Sequence, residues 1–245
     1  MSESYVAPEW SPIDMLQRAW DRVLPHLVLM GAITFAVFAV QFGIGLVFGI
    51  IEGVIAGVAS SVAQDRGGDA AQLAAAGVRL VVSLGRLCIT TPITLITTAG
   101  LARMGLSVAR GETPDLGAFS MAMSKFFRVL LASILVGFAA LVGTLFCIIP
   151  GILVAIALQF YMFVLMDTEL GPLDAVQYAW SLAKDHMVNL GVFFLVLMGI
   201  SLVVTCGTCG IGWIIVQPVL LTAQGLIYVH LSGRTQDYLP DPQLT

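Results

Sequence analysis

Long stretches of this 245-residue chain carry no charged side chain. No Asp, Glu, Lys or Arg occurs from Val129 to Met166, and none occurs from Met187 to Val229. Charged residues make up 11 % of the whole chain, against about 25 % in soluble domains. Each charge-free stretch is about twice the roughly 20 residues that a helix needs to cross a bilayer. The lack of charge therefore excludes a soluble globular protein and predicts that each stretch crosses a membrane twice.

Groups that carry out catalysis or bind metals are scarce as well. The motifs of zinc proteases, serine hydrolases and phosphate-binding loops do not occur in the sequence. A proton- or sodium-driven transporter normally buries carboxylates or histidines near the membrane midplane, and the charge-free stretches contain neither. We therefore expect no catalytic residue, no cofactor and no metal site. The net charge of −4 also argues against nucleic acid as a partner.

Cysteine is rare, with Cys88, Cys147, Cys206 and Cys209 as the four instances. The last two form a CxxC pair, which can form a disulfide in an oxidising compartment. A CxxC pair ahead of a helix can also be redox-active, because the helix N-terminus lowers the pKa of a thiol. No Lys, His or carboxylate lies near this pair in the sequence to assist such chemistry. A Cys206–Cys209 disulfide and a thiol–disulfide oxidoreductase both stay open as interpretations.

Helix-breaking residues divide the apolar sequence into six spans. Pro150-Gly151 interrupts the first charge-free stretch, and the glycine-rich segment 206–212 interrupts the second. Two further apolar segments, at about 27–62 and 70–106, are separated by a polar tip. We predict an all-α polytopic membrane protein of six transmembrane helices in three hairpins. The hairpin units are 11–106, 113–168 and 171–231, and together they form a single membrane domain at 11–232. A disordered cytoplasmic tail at 1–10 precedes this domain, and a cytoplasmic tail at 233–245 follows it.

Each hairpin unit begins with a capping residue and a proline, at Ser11-Pro12, Thr113-Pro114 and Gly171-Pro172. Proline suits the first position of a helix, where its missing N–H would be unpaired anyway. Apolar residues then recur at steps of three and four, which predicts an amphipathic lead-in helix lying along the lipid headgroups before each hairpin. Alternatively, these segments are the cytoplasmic ends of tilted spans that pack on one another. Interfacial anchors are expected at Trp20, Trp180 and Trp213.

The first and third lead-in segments also repeat in sequence. Residues 12–20 read PIDMLQRAW and residues 172–180 read PLDAVQYAW, and His26 matches His186 at the same offset. Such a repeat is typical of membrane proteins built from duplicated units.

The first hairpin unit is roughly 40 residues longer than the other two. Its helices would reach about 55 Å at 1.5 Å per residue, so we expect this hairpin to project from the outer face. A ladder of glycines, which lets another helix approach closely, recurs at every fourth residue: Gly45, Gly49, Gly53 and Gly57. The approaching helix is either the second helix of the same hairpin or a helix of a second copy. Glu52 and Arg86 are a predicted ion pair, because a charge within a membrane usually needs a partner.

Basic residues indicate the orientation of the chain. An even number of spans places both termini on one side, and that side would hold eight of the eleven Lys and Arg residues. Because basic loops favour the cytoplasm, both termini are predicted to be cytoplasmic.

Short motifs add a resemblance to a known family. With its cap-Pro-x-Asp lead-ins, an Ile-Ile-Pro-Gly-Ile turn at 148–152 and Ala-Trp-Ser-Leu-Ala-Lys at 179–184, the chain resembles the uncharacterised six-helix bacterial inner-membrane proteins. That group includes the membrane domain fused to some glycerophosphodiester phosphodiesterases. The resemblance covers roughly 113–231 and implies a multi-pass protein of the bacterial cytoplasmic (inner) membrane. It supplies no catalytic residues, and the long first hairpin departs from the pattern.

These features favour a non-enzymatic integral membrane protein that organises or assists membrane partners, self-associating through the long first hairpin. Its partners would be the lipid bilayer and either a second copy or another membrane protein. One alternative is a transporter of lipid or of a small apolar solute, with a cavity lined by Gln159, Gln217 and Gln224. The other is the thiol–disulfide oxidoreductase built on Cys206 and Cys209.

Overall fold

The computed structural model describes residues 11–66, 69–146, 148–208, 210 and 212–233. All regular elements within these residues are helical, and they include no strand, which confirms the predicted all-α class. A single 3₁₀ turn, Leu24–His26, joins the first two helices. The helices are α1 (Pro12–Val23), α2 (Leu27–Arg66), α3 (Asp69–Ala109), α4 (Gly117–Ser124), α5 (Phe126–Phe146), α6 (Ile148–Leu158), α7 (Tyr161–Asp167), α8 (Pro172–Lys184), α9 (Met187–Gly207) and α10 (Trp213–Leu231).

Several helical segments have the length and composition of membrane spans. In the part of the chain that the structure describes, five meet both conditions: Pro12–Val58, Ala76–Ala109, Phe126–Leu145, Met187–Gly207 and Trp213–Leu231. The region expected to form the fourth span consists of two shorter helices, α6 and α7, because the chain leaves the helical path at Gln159 and Phe160. The prediction of helices long and apolar enough to cross a membrane is confirmed, and the count of six spans stays a prediction.

Two of the three helix starts lie where the prolines predict them. α1 begins at Pro12 and α8 begins at Pro172, each directly after a residue in extended conformation. Both helices carry an aspartate in the first turn and a basic residue in the last, which complements the partial charges of the helix dipole.

The third predicted start, at Thr113-Pro114, is wrong. α4 begins at Gly117 instead. Asp115 forms the turn that opens the helix, since its carbonyl accepts a hydrogen bond from the N–H of Ala118 at 3.2 Å. Its carboxylate also lies against Gly117, where an added Cβ atom would meet Oδ2 at 2.5 Å. The turn at Asp115 therefore delays the helix until the glycine.

The chain divides into two units. The larger unit combines Met1–Thr34 with Ile96–Thr245, and the smaller unit is Phe35–Leu95. The smaller unit contains α2 from Phe35 to its end and α3 as far as Leu95. The larger unit contains the start of α2, the end of α3 and the other helices. The single domain at 11–232 and the outward projection of the first hairpin stay predictions.

Within the larger unit, each lead-in helix packs on helices of the preceding hairpin unit. α8 packs on α5, α6 and α7, and α1 packs on α9 and α10 from the far end of the chain. α4 contacts α3, because the ring of Phe119 covers the position that a Cβ atom on Gly100 would take. The order of contacts is cyclic, since the first lead-in helix closes on the last hairpin unit.

The lead-in helices bury a face of mainly small residues. Ala19 in α1, Ala122 in α4 and Ala179 in α8 are almost wholly buried. The predicted apolar stripe lies beside this face, and Trp20 and Trp180 remain 44 % and 41 % exposed. α4 and α8 therefore offer a face of alanines to the protein, whereas α1 buries Met15 and Val23 beside its alanine, and all three helices leave bulky apolar side chains uncovered.

The repeated segments share their pattern of buried positions as well as their sequence. The buried positions Met15, Ala19 and Val23 of α1 correspond, at an offset of 160, to the buried Ala175, Ala179 and Ala183 of α8. The match continues into the next helix, where Met30 and Leu190 are both buried. The structural repeat thus extends beyond the residues in which the sequence repeats.

Candidate functional site

A buried carboxylate joins three parts of the larger unit. Asp167 is the last residue of α7, and its side chain is 4 % exposed. The hydroxyl of Tyr228 in α10 donates a hydrogen bond to Asp167 Oδ2 at 3.0 Å. Arg110, directly after α3, forms an ion pair with Oδ1, and Arg103 of α3 lies 3.9 Å from the same oxygen. We call Arg103, Arg110, Asp167 and Tyr228 the Asp167 cluster; it ties together helices from all three hairpin units.

A second set of charges lies around the loop that follows α7. Lys125 Nζ donates hydrogen bonds to the carbonyls of Leu165 and Thr168, at 3.1 and 2.9 Å. Glu169 accepts from Lys125 at 2.9 Å and from Arg128 at 2.5 Å. The hydrogen bond from Lys125, followed by that from Arg128, holds the pKa of the Glu169 carboxyl below its usual value. Lys125 therefore both caps the end of α7 and fixes the loop.

Two cations of the larger unit bind carbonyl groups at helix ends. Carbonyl groups at a helix C-terminus lack partners within the helix and carry partial negative charge, so cations there are stabilising. Lys125 fills this role for α7, and Arg22 fills it for α3 by donating to the carbonyl of Ala109.

Removing one member of a buried ion pair leaves the other charge uncompensated. We therefore assign the Asp167 cluster the role of holding α3, α7 and α10 in one arrangement.

Sequence reasoning gave Asp167 and Glu169 no role. A signal was present, because these are the first acidic residues after the charge-free stretch that ends at Met166. They also follow the fourth predicted span on the side assigned to Arg103, Arg110 and Lys125. A carboxylate directly after an apolar span, on a side rich in cations, is a candidate for a buried ion pair.

The glycine stripe of α2 (Gly45, Gly49, Gly53 and Gly57) lies in the smaller unit and faces open space. A Cβ atom built on any of the four would meet none of the described atoms within 4 Å. A helix packed closely on the stripe would bring its atoms inside that distance. At Gly45 the stripe borders a small pocket that is shared with residues of α3, among them Arg86 and Thr90. The described part of α3 does not pack closely on the other three glycines, so Gly49, Gly53 and Gly57 are available to another helix.

Glu52 and Arg86 lie together in the same unit. Arg86 Nη1 is 3.3 Å from each oxygen of the Glu52 carboxylate. Both side chains are partly exposed, so in water the pair would contribute about 1 kcal/mol or less. Within hydrocarbon its effect is larger, because each charge would otherwise lack a partner. The pair links α2 to α3.

An apolar groove with a volume of about 620 Å³ lies between α1, α9 and α10 in the larger unit. Its size falls in the range of small-molecule sites, about 300 to 1,000 Å³. The two polar lining residues are Gln17 and Asp21. We call it the α1 groove, and its apolar lining residues are Leu16, Trp20, Ile200, Val204, Val216, Val219 and Leu220.

The glutamines that the transport hypothesis requires do not line this groove. Gln217 and Gln224 are half-buried in α10. The amide nitrogen and oxygen of Gln159 are buried, and neither has a hydrogen-bond partner among the residues with described side chains. The α1 groove therefore differs in lining from the cavity that the transport hypothesis predicted.

The structure describes two of the four cysteines. Cys88 and Cys206 are exposed, whereas Cys147 and Cys209 lie outside the described residues, so the Cys206–Cys209 disulfide stays a prediction. In the described ranges, no three side chains of His, Cys, Asp or Glu come together to hold a metal ion. Trp213, the third expected anchor, is half-buried at the first position of α10.

Comparison of the chain with models of known protein families, with curated protein sequences and with solved structures finds no match. The resemblance to bacterial inner-membrane proteins therefore stays a prediction. Function has to be inferred from the surfaces of the chain itself.

Proposed function

We propose that this chain is a non-enzymatic integral membrane protein that organises or assists partners in the bilayer and self-associates through the glycine stripe of α2. The observation that carries the proposal is the open space beside all four glycines. Small residues at every fourth position let helix backbones approach closely, and close packing is what drives helix association in lipid. An unoccupied stripe of this kind suits the same stripe on a second copy.

The surface beside the stripe is also apolar. Large side chains of α2 that are half exposed or more include Leu46, Val47, Ile50, Val54 and Val58. In a bilayer such residues contact either acyl chains or another helix. Two copies related by a twofold axis would place stripe against stripe, which is the commonest geometry of a homodimer.

The same proposal sets the chain across the bacterial cytoplasmic membrane in six spans, as three hairpins with interfacial lead-in helices. The segment Ile148–Asp167, α6 and α7 together, has about the 20 residues that one crossing requires. The bulky apolar side chains left uncovered on α1 and α8 suit the headgroup region. Arg22, Arg110 and Lys125 all cap or pair at helix ends in the larger unit, which supports a single basic, cytoplasmic side holding both termini.

Self-association is tested by crosslinking in native membranes. The double variant Gly49→Leu/Gly53→Leu fills the stripe. Gly43→Leu is the matched control, because Gly43 also has open space around it but lies about 120° round α2 from Gly49 and about 80° from Gly53. We expect the wild type and Gly43→Leu to give the same dimer yield, and the double variant to lose most of it.

The opposite result would be equal dimer yield from all three proteins, which would exclude the glycine stripe as the contact.

Topology is tested separately with reporter fusions. Fusions after residues 67, 151 and 208 should report the outer side, and a fusion after residue 233 should report the cytoplasm. A fusion at 67 that reports the same compartment as one at 233 would overturn the six-span arrangement.

A further inference from the structure

We propose that the α1 groove binds one phospholipid, with an acyl chain between α1, α9 and α10 and a zwitterionic headgroup bearing a primary ammonium at Asp21. This site is separate from the glycine stripe, which belongs to the smaller unit. The lipid proposal can therefore fail while self-association holds, and the reverse is also true.

The walls of the groove match a hydrocarbon chain. Seven of its nine lining side chains are apolar. They belong to helical segments with the length and composition of membrane spans, so acyl chains are the solvent that surrounds them. The volume of about 620 Å³ suits a single ligand. Dispersion contacts then favour a lipid tail in the groove, since the walls touch the acyl chain on both sides.

The same walls suit another helix poorly. Helices associate in lipid where Gly, Ala or Ser lets the two backbones approach closely. The apolar lining of the groove contains no residue smaller than valine. α1 turns its small residue Ala19 toward the protein instead, where it is fully buried. Branched side chains leave narrow gaps, and a thin, flexible acyl chain can follow such gaps where a helix cannot.

The polar end of the groove carries a carboxylate, and a guanidinium outside the lining lies about one turn away on α1. Gln17 and Asp21 lie one turn apart on α1, and both line the groove. Arg18 lies about 60° further round α1 than Asp21, at 100° per residue. Neither Asp21 nor Arg18 forms an ion pair with any residue that the structure describes. A headgroup with an ammonium for the carboxylate and a phosphate for the guanidinium complements this pair.

The internal repeat shows that these charges are not required by the lead-in helix itself. α8 shares the buried face of α1 and keeps its glutamine and tryptophan at the equivalent positions. The charged positions differ, because Arg18 corresponds to Tyr178 and Asp21 corresponds to Ser181. The charges are thus confined to the copy that lines the groove.

Native mass spectrometry of the full chain tests the site directly. The protein is offered equimolar phosphatidylethanolamine and phosphatidylglycerol with identical acyl chains. We expect the wild type to retain one phosphatidylethanolamine in preference to phosphatidylglycerol. Val204→Trp fills the groove and should lower lipid retention at least tenfold. Val203→Trp is the matched control, because Val203 is 71 % exposed and does not line the groove.

The headgroup is tested with a second pair of variants. Asp21→Asn should lower the preference for phosphatidylethanolamine several-fold while leaving total lipid retention near the wild-type level. Asp14→Asn changes an exposed aspartate of α1 outside the groove and should leave the preference unchanged. A wild-type preference for phosphatidylglycerol, or an equal loss of preference in both variants, would overturn the assignment of the headgroup.

Equal lipid retention by Val204→Trp and Val203→Trp would overturn the acyl-chain site. The acyl-chain site would also be overturned if Val204→Trp lost the crosslinked dimer but retained lipid as the wild type does, because the groove would then hold a second copy. If Val204→Trp does not fold, Val216→Phe fills the groove from α10 instead. The measurement uses a chain in which the other three tryptophans are replaced by phenylalanine, so that only Trp20 fluoresces. Brominated acyl chains quench Trp20 if they enter the groove, and Val216→Phe should reduce this quenching at least twofold. Unchanged quenching would count against the proposal.

Discussion

The hydroxyl of Tyr228 donates a hydrogen bond to the carboxylate of Asp167 across 3.0 Å and so links α10 to the end of α7. The same carboxylate neutralises Arg110, whose side chain is 9 % exposed. The two contacts of Asp167 differ in what their loss would leave behind. Without the hydroxyl, one hydrogen bond is missing, whereas without the carboxylate a buried guanidinium has lost its counter-charge.

We therefore predict that Asp167→Asn lowers the free energy of unfolding by about 3 to 5 kcal/mol. Tyr228→Phe should lower it by about 1.5 to 3 kcal/mol, the value of a hydrogen bond to a charged group. Chemical unfolding in detergent, followed by tryptophan fluorescence, measures both. Asp174→Asn, at an exposed position in the first turn of α8, is the control and should lower it by no more than about 1 kcal/mol, the value of a carboxylate at a helix N-terminus. A larger loss from Tyr228→Phe than from Asp167→Asn would contradict the role given to Asp167.

Gly105 in α3 and Gly49 in α2 should respond in opposite ways to alanine. A Cβ atom on Gly105 would lie 2.9 Å from the carbonyl carbon of Leu221, whereas a Cβ atom on Gly49 would meet none of the described atoms within 4 Å. Gly105→Ala should therefore cost about 1 to 3 kcal/mol of unfolding free energy through overpacking. In the monomer, Gly49→Ala should raise the unfolding free energy by about 0.5 to 1 kcal/mol, because glycine is unfavourable within a helix. Equal effects in the same unfolding assay would mean that α3 and α10 are not in close contact at Gly105.

Glu169 gives the fold a weak dependence on acid. Its pKa is lowered in the folded protein, so its contribution to stability is present above the unfolded value of about 4.3 and is lost as the pH falls through the folded pKa. Glu169→Gln should therefore show a smaller drop in melting temperature than the wild type between about pH 5 and pH 3. The difference should be small and should shrink at high salt, because the carboxylate is exposed. Identical melting curves across that range at low salt would remove Glu169 from the acid response.

The buried face of the lead-in helices can be tested at adjacent positions of α8. Ala179 is fully buried and Trp180 is 41 % exposed. Ala179→Leu should lower the unfolding free energy by about 1 to 3 kcal/mol, because the added methylenes have no space. Trp180→Leu should change it by less than about 0.5 kcal/mol, as is usual for exposed positions. Because α1 repeats α8, Ala19→Leu should behave as Ala179→Leu does, and a neutral effect would show that the two copies pack differently.

The helices could be predicted from sequence wherever the deciding interactions are local. Proline at the first helical position and the apolar spacing of the following residues place the starts of α1 and α8 correctly. The same rule fails at Pro114, where the side chain and carbonyl of Asp115 form a turn that a capping pattern does not include. The break between α6 and α7 at Gln159 and Phe160 was also missed, because neither residue is a helix breaker by type.

The functional residues divide in the same way. Glu52 and Arg86 could be brought together by counting residues along two consecutive spans, and the structure places them 3.3 Å apart. The Asp167 cluster joins residues 57 and 61 positions apart along the chain, so it depends on how separate helices are packed. The lining of the α1 groove depends on a contact between the first helix and the last two. No local pattern encodes such a contact.

Sequence alone determined that this chain is helical, apolar enough for a membrane and internally repeated, because these properties follow from the hydrogen bonding and hydropathy of neighbouring residues. Tertiary structure decided which face of each lead-in helix is buried, where Asp167 finds its partners, and that the glycine stripe stays open. The reason is that each of these depends on the angle and distance between helices far apart in the chain. One apolar helix can satisfy its own backbone in many packings, and only side chains from the other helices select one of them.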